Sequence, residues 1–236
     1  MRRSLARRIG AAVLIAAVAT VLAACSASPA ASTSHSPSAA AVPTGVTGAA
    51  DFDKGALVVG DGKTIVDTYI DPMCPYCGEF ERANGRSLAQ KVNDGTITLR
   101  VHPLNFLDPD SQGTNYSSRA GSALTCVAAS DPKATLTYLS ALYTDQPEEG
   151  SSGLTDAKLK SLAHGVGATS ADSCITSHRY ASWLTQNTQN ALNGPIPGAD
   201  IKSIKGTPTV LVNGHQYSGD ITDTKALLAF IAKGGK

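Results

Sequence analysis

The residues of this chain whose types and spacing can do chemistry are two cysteines, in Cys74-Pro75-Tyr76-Cys77. A β-branched run from Thr64 to Ile70 precedes them and a helical apolar pattern follows, so they stand where a strand gives way to a helix. The fixed backbone angle of Pro75 suits the first helical position, which puts Cys74 at the helix N-terminus and Cys77 one turn further in. Both sulfurs then share a face where unsatisfied N–H groups and the helix dipole favour negative charge. Because the thiolate is the form of cysteine that attacks disulfides, the spacing predicts a redox dithiol, with Cys74 as nucleophile and Cys77 as resolving thiol.

The flanking elements must position that pair. Ala56 to Val59 is a short strand candidate and Thr64 to Ile70 a stronger one. Phe80, Ala83, Leu88 and Val92 give the following helix an apolar stripe, with a kink expected at Asn84-Gly85. Thr96 to His102 alternates with period two and completes a β-α-β unit. From Pro109 to Asn193 the apolar residues recur at helical spacing, including Ala120, Ala123, Leu124 and Val127. The chain then returns to strand chemistry at Thr209 to Val212, turns at Asn213-Gly214, and closes with a helix through Leu227 and Ile231.

Composition bounds the setting. The chain has 236 residues, 42% of them hydrophobic, enough for a sizeable core. Arg2, Arg3, Arg7 and Arg8 are the charges of the first 24 residues, and the rest of the chain holds sixteen basic against nineteen acidic residues. That balance gives no support for a nucleic-acid partner. The basic start, the apolar stretch from Ile9 to Ala24 and the ending Leu22-Ala23-Ala24-Cys25 read as an export signal over residues 1–24. The Leu-Ala-Ala-Cys ending resembles a bacterial lipobox, which implies a lipid on Cys25 and a membrane anchor; ordinary cleavage with Cys25 free is the alternative. Residues 25–50, rich in Ser, Ala, Pro, Thr and Gly, are expected to be a disordered tether with a reach of roughly 25–30 Å.

Asp71-Pro72-Met73-Cys74-Pro75-Tyr76-Cys77-Gly78-Glu79-Phe80, Thr98 to Pro103, and Gly206 to Gly214 together resemble the exported DsbA-like thiol–disulfide oxidoreductases of the thioredoxin superfamily. The resemblance covers about the last three-quarters of the chain. It implies an α/β thioredoxin fold over residues 51–108 and 199–236, interrupted by a helical insertion over residues 109–198. It also implies a cis-proline at Pro208 beside the cysteines, with Thr207 offering backbone hydrogen bonds to an extended substrate. Pro75 and the aromatic Tyr76 are expected to face that substrate, simple surface exposure of Tyr76 being the alternative. The Pro-Tyr pair departs from the Pro-His of the strongest oxidases. The relatives' proton-relay acid is replaced by Thr68, while Asp67 faces the other side of the strand.

With Cys25 assigned to lipid and Cys74 to Cys77, Cys126 and Cys174 are left to pair as a structural disulfide, two buried thiols being the alternative. The five histidines show no ligand spacing, so no metal is expected, and sulfur exchange needs no cofactor. The expected partners are exported cysteine-containing proteins and a membrane redox partner that recycles the dithiol. Two other functions fit the same residues: a disulfide reductase fed from the membrane, and a non-catalytic lipoprotein chaperone or binding module.

Overall fold

The structure, a computed structural model, describes residues 42–236. The expected signal sequence, Cys25 and most of the tether lie outside the described residues. Seven strands form one sheet: β1 (Val46–Thr47), β2 (Ala50–Asp51), β3 (Ala56–Val59), β4 (Thr64–Ile70), β5 (Ile97–Pro103), β6 (Thr209–Val212) and β7 (His215–Gln216). Their order across the sheet is β1-β2-β3-β5-β4-β6-β7. Strands β4 and β5 run parallel, from Thr64 opposite Ile97 to Ile70 opposite Pro103, and helix α1 (Pro75–Asn93) makes the crossover between them. Strand β6 lies antiparallel to β4, with Val66 opposite Val212.

Strands β1 and β2 fall inside the segment read as tether, so ordered chain begins ahead of Asp51. Small side chains hid this. Ala49 and Ala50 are buried, and the Ala49 N–H donates to Ala128 O at 2.8 Å. Gly48 comes so close to the neighbouring helix that a Cβ would sit 2.4 Å from Ala129 O.

Helix α1 starts at Pro75 and ends cleanly: the Gly95 N–H, at positive φ, bonds Val92 O and Thr96 N–H bonds Lys91 O. Helix α1 runs unbroken through Asn84-Gly85, where a kink was expected. Asn84 is instead fully buried, and its amide donates to Phe80 O at 2.9 Å and to Ile221 O at 2.7 Å, tying α1 to the segment before the last helix.

Between β5 and β6 lie α2 (Tyr116–Ser130), α3 (Thr135–Thr144), α4 (Asp156–Gly165), α5 (Asp172–Thr176) and α6 (Ala181–Asn193); α7 (Thr224–Ala232) closes the chain. Helix α2 is the axis of this block. Its Ser, Ala and Gly side chains allow close approach on nearly every side, and a Cβ on Gly121 would lie 2.2 Å from Leu184 Cδ2. One hydrophobic core runs from Leu57, Val66 and Leu99 in the sheet through Phe80 on α1 to Leu124, Leu139 and Leu159 in the block. The helical block and the sheet therefore bury a common core. Among the described residues no helix is long and apolar enough to cross a membrane.

Cys126 on α2 and Cys174 on α5 form a disulfide, with Cα atoms 5.8 Å apart. In the chain-entropy model, closing this loop is worth about 4 kcal/mol. Replacing both cysteines with alanine is expected to lower unfolding stability by about that much in a urea titration while leaving the titration of Cys74 in place. A loss below about 1 kcal/mol would show that the staple does not constrain the unfolded chain.

Candidate active site

Cys74 is the N-cap of α1, in extended conformation, and no side-chain oxygen caps the helix. No acidic residue occupies the first turn either, and the N–H groups of Tyr76 and Cys77 support the Cys74 sulfur. Both Cys74 and Cys77 are free thiols. Cys74 keeps 6% of its surface exposed and Cys77 none, so an incoming sulfur meets Cys74 first.

The two thiols are held very differently. A hydrogen bond from the Cys77 thiol is the largest influence on Cys74. Together with bonds from the Thr207 side chain and the Cys77 and Tyr76 N–H groups, it overcomes burial and brings the Cys74 thiol down to about 6. The Thr207 carbonyl, 3.3 Å from Cys74 Sγ, accepts from the protonated thiol and works in the opposite direction. Burial drives Cys77 well above the ordinary thiol value, and the hydrogen bond and charge of Cys74 push the same way.

Asp71 lies at the centre of the surrounding framework. Fully buried, its carboxylate accepts from Met73 N–H at 2.8 Å, Ser117 Oγ at 2.6 Å and Leu107 N–H at 2.9 Å. Those donors come from the turn before α1, from α2 and from the loop after β5. The Asp71 carbonyl accepts from Cys74 N–H at 3.1 Å and from Tyr143 Oη at 3.0 Å, and its N–H points at Cys77 Sγ at 3.5 Å. Burial raises the Asp71 carboxyl to about 7 against the pull of its three donors, and negative charge on Cys74 raises it further. Opposite α1, the Thr207–Pro208 peptide is cis and brings Thr207 onto Cys74.

A family model described as "Thioredoxin" matches residues 53–233. The chain belongs to that family. Among solved structures it is similar to DsbA from Mycobacterium tuberculosis, at 27% identity over 76% of this chain and 92% of that one, with a TM-score of 0.65. It is also similar to the disulfide bond oxidoreductase DsbG of the same organism, at 29% identity over 76% and 86% of the two chains, with a TM-score of 0.63. A stretch of 119 residues is 44% identical to serine/threonine-protein kinase PknE of Mycobacterium tuberculosis, covering 48% of this chain and 21% of that protein. The chain thus spans about a fifth of the length of the curated relatives it matches.

In this thioredoxin-family site the structure brings together Cys74, Cys77, Pro75, Tyr76, Thr207 and Pro208. Tyr76 is 61% exposed beside the dithiol. Cys126 and Cys174 lie apart from it as the disulfide of the helical block. Asp67 turns to the other face of β4, where its carboxylate meets His102 Nε2 at 2.9 Å. Each described histidine pairs with one aspartate, and no group of metal-ligating side chains occurs among the described residues.

Sequence reasoning missed Ser117, Tyr143 and Gln146, which reach the dithiol turn from the helical block, and Glu81. Glu81 shares with Thr68 a cavity of about 260 Å³ between α1, α3 and the sheet, and burial raises its carboxyl to about 7. Its place one turn beyond Cys77 is the signal that could have flagged it.

Thiolate absorbance of the reduced protein is expected to titrate with a midpoint near 6, reactivity toward an alkylating agent rising through that pH and levelling above it. Asp71, at about 7, is still mostly protonated where Cys74 titrates, so Asp71→Asn is expected to leave the Cys74 midpoint close to the wild-type value. The amide also turns a donor toward Leu107 N–H, at a cost of about 1–3 kcal/mol in unfolding stability. A midpoint lower by a unit or more would show instead that Asp71 is already ionised when Cys74 loses its proton.

Proposed function

We propose that this chain is a thiol–disulfide oxidoreductase that introduces or rearranges disulfides in exported proteins, acting outside the cytoplasm from a lipid anchor at Cys25. The observation that carries the reading is the asymmetry of the pair: a Cys74 that keeps a sliver of exposed surface and whose thiolate is favoured, beside a fully buried Cys77 whose thiol is favoured. Similarity to the two mycobacterial proteins named for disulfide oxidoreduction supports the reaction class. The export signal and lipobox pattern at residues 1–25 support the location.

In the oxidised enzyme a substrate thiolate attacks Cys74 Sγ, forming a mixed disulfide and breaking the Cys74–Cys77 bond. Cys77 leaves as a thiolate and takes up a proton, as its raised pKa favours. A second substrate thiolate then displaces Cys74, which leaves readily because its thiolate is stabilised. Two electrons have passed from the substrate to the dithiol, and a membrane redox partner removes them. Every unit by which the Cys74 pKa is lowered makes the disulfide more oxidising by about 30 mV. Direction therefore favours oxidation over a reductase role.

The test compares wild type, Cys74→Ala and Cys77→Ala in reoxidation of a reduced, unfolded cysteine protein and in insulin reduction. Cys74→Ala is expected to lose at least about 100-fold in both, and Cys77→Ala to accumulate the mixed disulfide. Retention of both activities by Cys74→Ala would favour the binding module instead. A reduction potential near that of thioredoxin, about −270 mV, would favour the reductase. Incorporation of labelled fatty acid into wild type and not into Cys25→Ser checks the anchor.

A further inference from the structure

Gly78 is a helical glycine with no backbone reason to be one. It lies in the first turns of α1 without a positive φ, where glycine costs about 1 kcal/mol relative to alanine. The space it leaves is taken by a side chain from the helical block: a Cβ at Gly78 would sit 2.0 Å from Gln146 Oε1 and 2.9 Å from an Arg82 guanidinium nitrogen. From that notch the Gln146 amide donates to Cys74 O at 2.8 Å and to Pro72 O at 3.2 Å. The preceding residue, Asp145, caps α3 and pairs with Lys158 at 2.8 Å, so the loop that carries Gln146 is itself anchored.

We propose that Gln146 is a positioning residue for Cys74, reaching from the helical block to fix the first turn of α1. The proposal rests on the redox reading of the dithiol. Cys74 O already accepts from Cys77 N–H at 3.0 Å and Gly78 N–H at 3.2 Å, so the Gln146 amide completes a set of three donors on one carbonyl. This fixes the peptide planes whose N–H groups, at Tyr76 and Cys77, support the sulfur. The amide's second bond, to Pro72 O, ties the turn before the helix to the same side chain. The other ionisable groups around Cys74 are Asp71 before it, Cys77, Glu81 and Arg82 on α1, and Tyr143 on α3; none is substituted in the variants below, and only Gly78→Ala also presses on one of them, Arg82.

Gln146→Ala, Gln146→Glu, Gly78→Ala and the double variant Gly78→Ala/Gln146→Ala are made in the full chain. Each is read by the pH titration of the Cys74 thiolate, by exchange with glutathione disulfide and by urea unfolding. Gln146→Ala is expected to raise the Cys74 midpoint by about one pH unit and to slow exchange about threefold below that midpoint, the roughly tenfold loss of thiolate being partly offset by its greater nucleophilicity. Gln146→Glu has nearly the same shape but replaces the donor with a carboxylate, so its midpoint rises further, which a purely space-filling side chain would not produce. Gly78→Ala displaces the amide and matches Gln146→Ala, and the double variant goes no further, because both changes break one contact. Wild-type midpoints in both Gln146 variants, or additive shifts in the double variant, would overturn the proposal. An inert dithiol is a separate failure: the wild type itself would then not exchange.

Discussion

The N-terminus of α1 needs a negative partner, and Cys74 sulfur is placed to be it. Proline at the first helical position removes one orphan N–H, no side chain caps the turn, and no acid occupies it. The remaining donors at Tyr76 and Cys77 therefore converge on one sulfur. The same helix carries Cys77 into the core one turn later, where no water reaches it. A single helix start thus gives two chemically identical side chains opposite proton affinities, and that difference lets one sulfur attack and leave while the other waits.

Holding the turn in place is a long-range task, and it falls largely to Asp71. A buried carboxylate with no cationic partner is costly, and the rise of its pKa to about 7 is the signature of that cost. Three hydrogen bonds from three separate segments offset it and fix the approach to α1 against the loop after β5 and the start of α2. Tyr143 and Gln146 add contacts from α3 and the loop beyond it. The site consequently lies on the seam between the sheet and the helical block, and the block serves as its framework.

What could be read from the chain alone was what depends on local pattern. The dithiol at a strand end, the β-α-β unit and the Asn213-Gly214 hairpin follow from side-chain period and turn chemistry, and the helical stretches between β5 and β6 from apolar spacing. Contacts between segments far apart left no such trace: Ser117 reaches Asp71 across 46 positions, and Gln146 reaches Cys74 across 72. Polar alternation also misled in β5, where Thr98 and His102 are buried, bonded to Gly62 O and Asp67. Strands β1 and β2 escaped notice because alanine and glycine bury by close backbone approach, which apolar side-chain counts do not register.

Asp71 and Cys74 make the site's charge a shared quantity. Each ionises less readily when the other is charged, and Asp71 is raised partly by the negative charge on Cys74. Forming the Cys74–Cys77 disulfide removes the thiolate, so the Asp71 carboxyl ionises more readily in the oxidised protein than in the reduced one. Its three donors are arranged for a carboxylate, which means they hold the turn most firmly when the charge is on Asp71 and the sulfurs are joined.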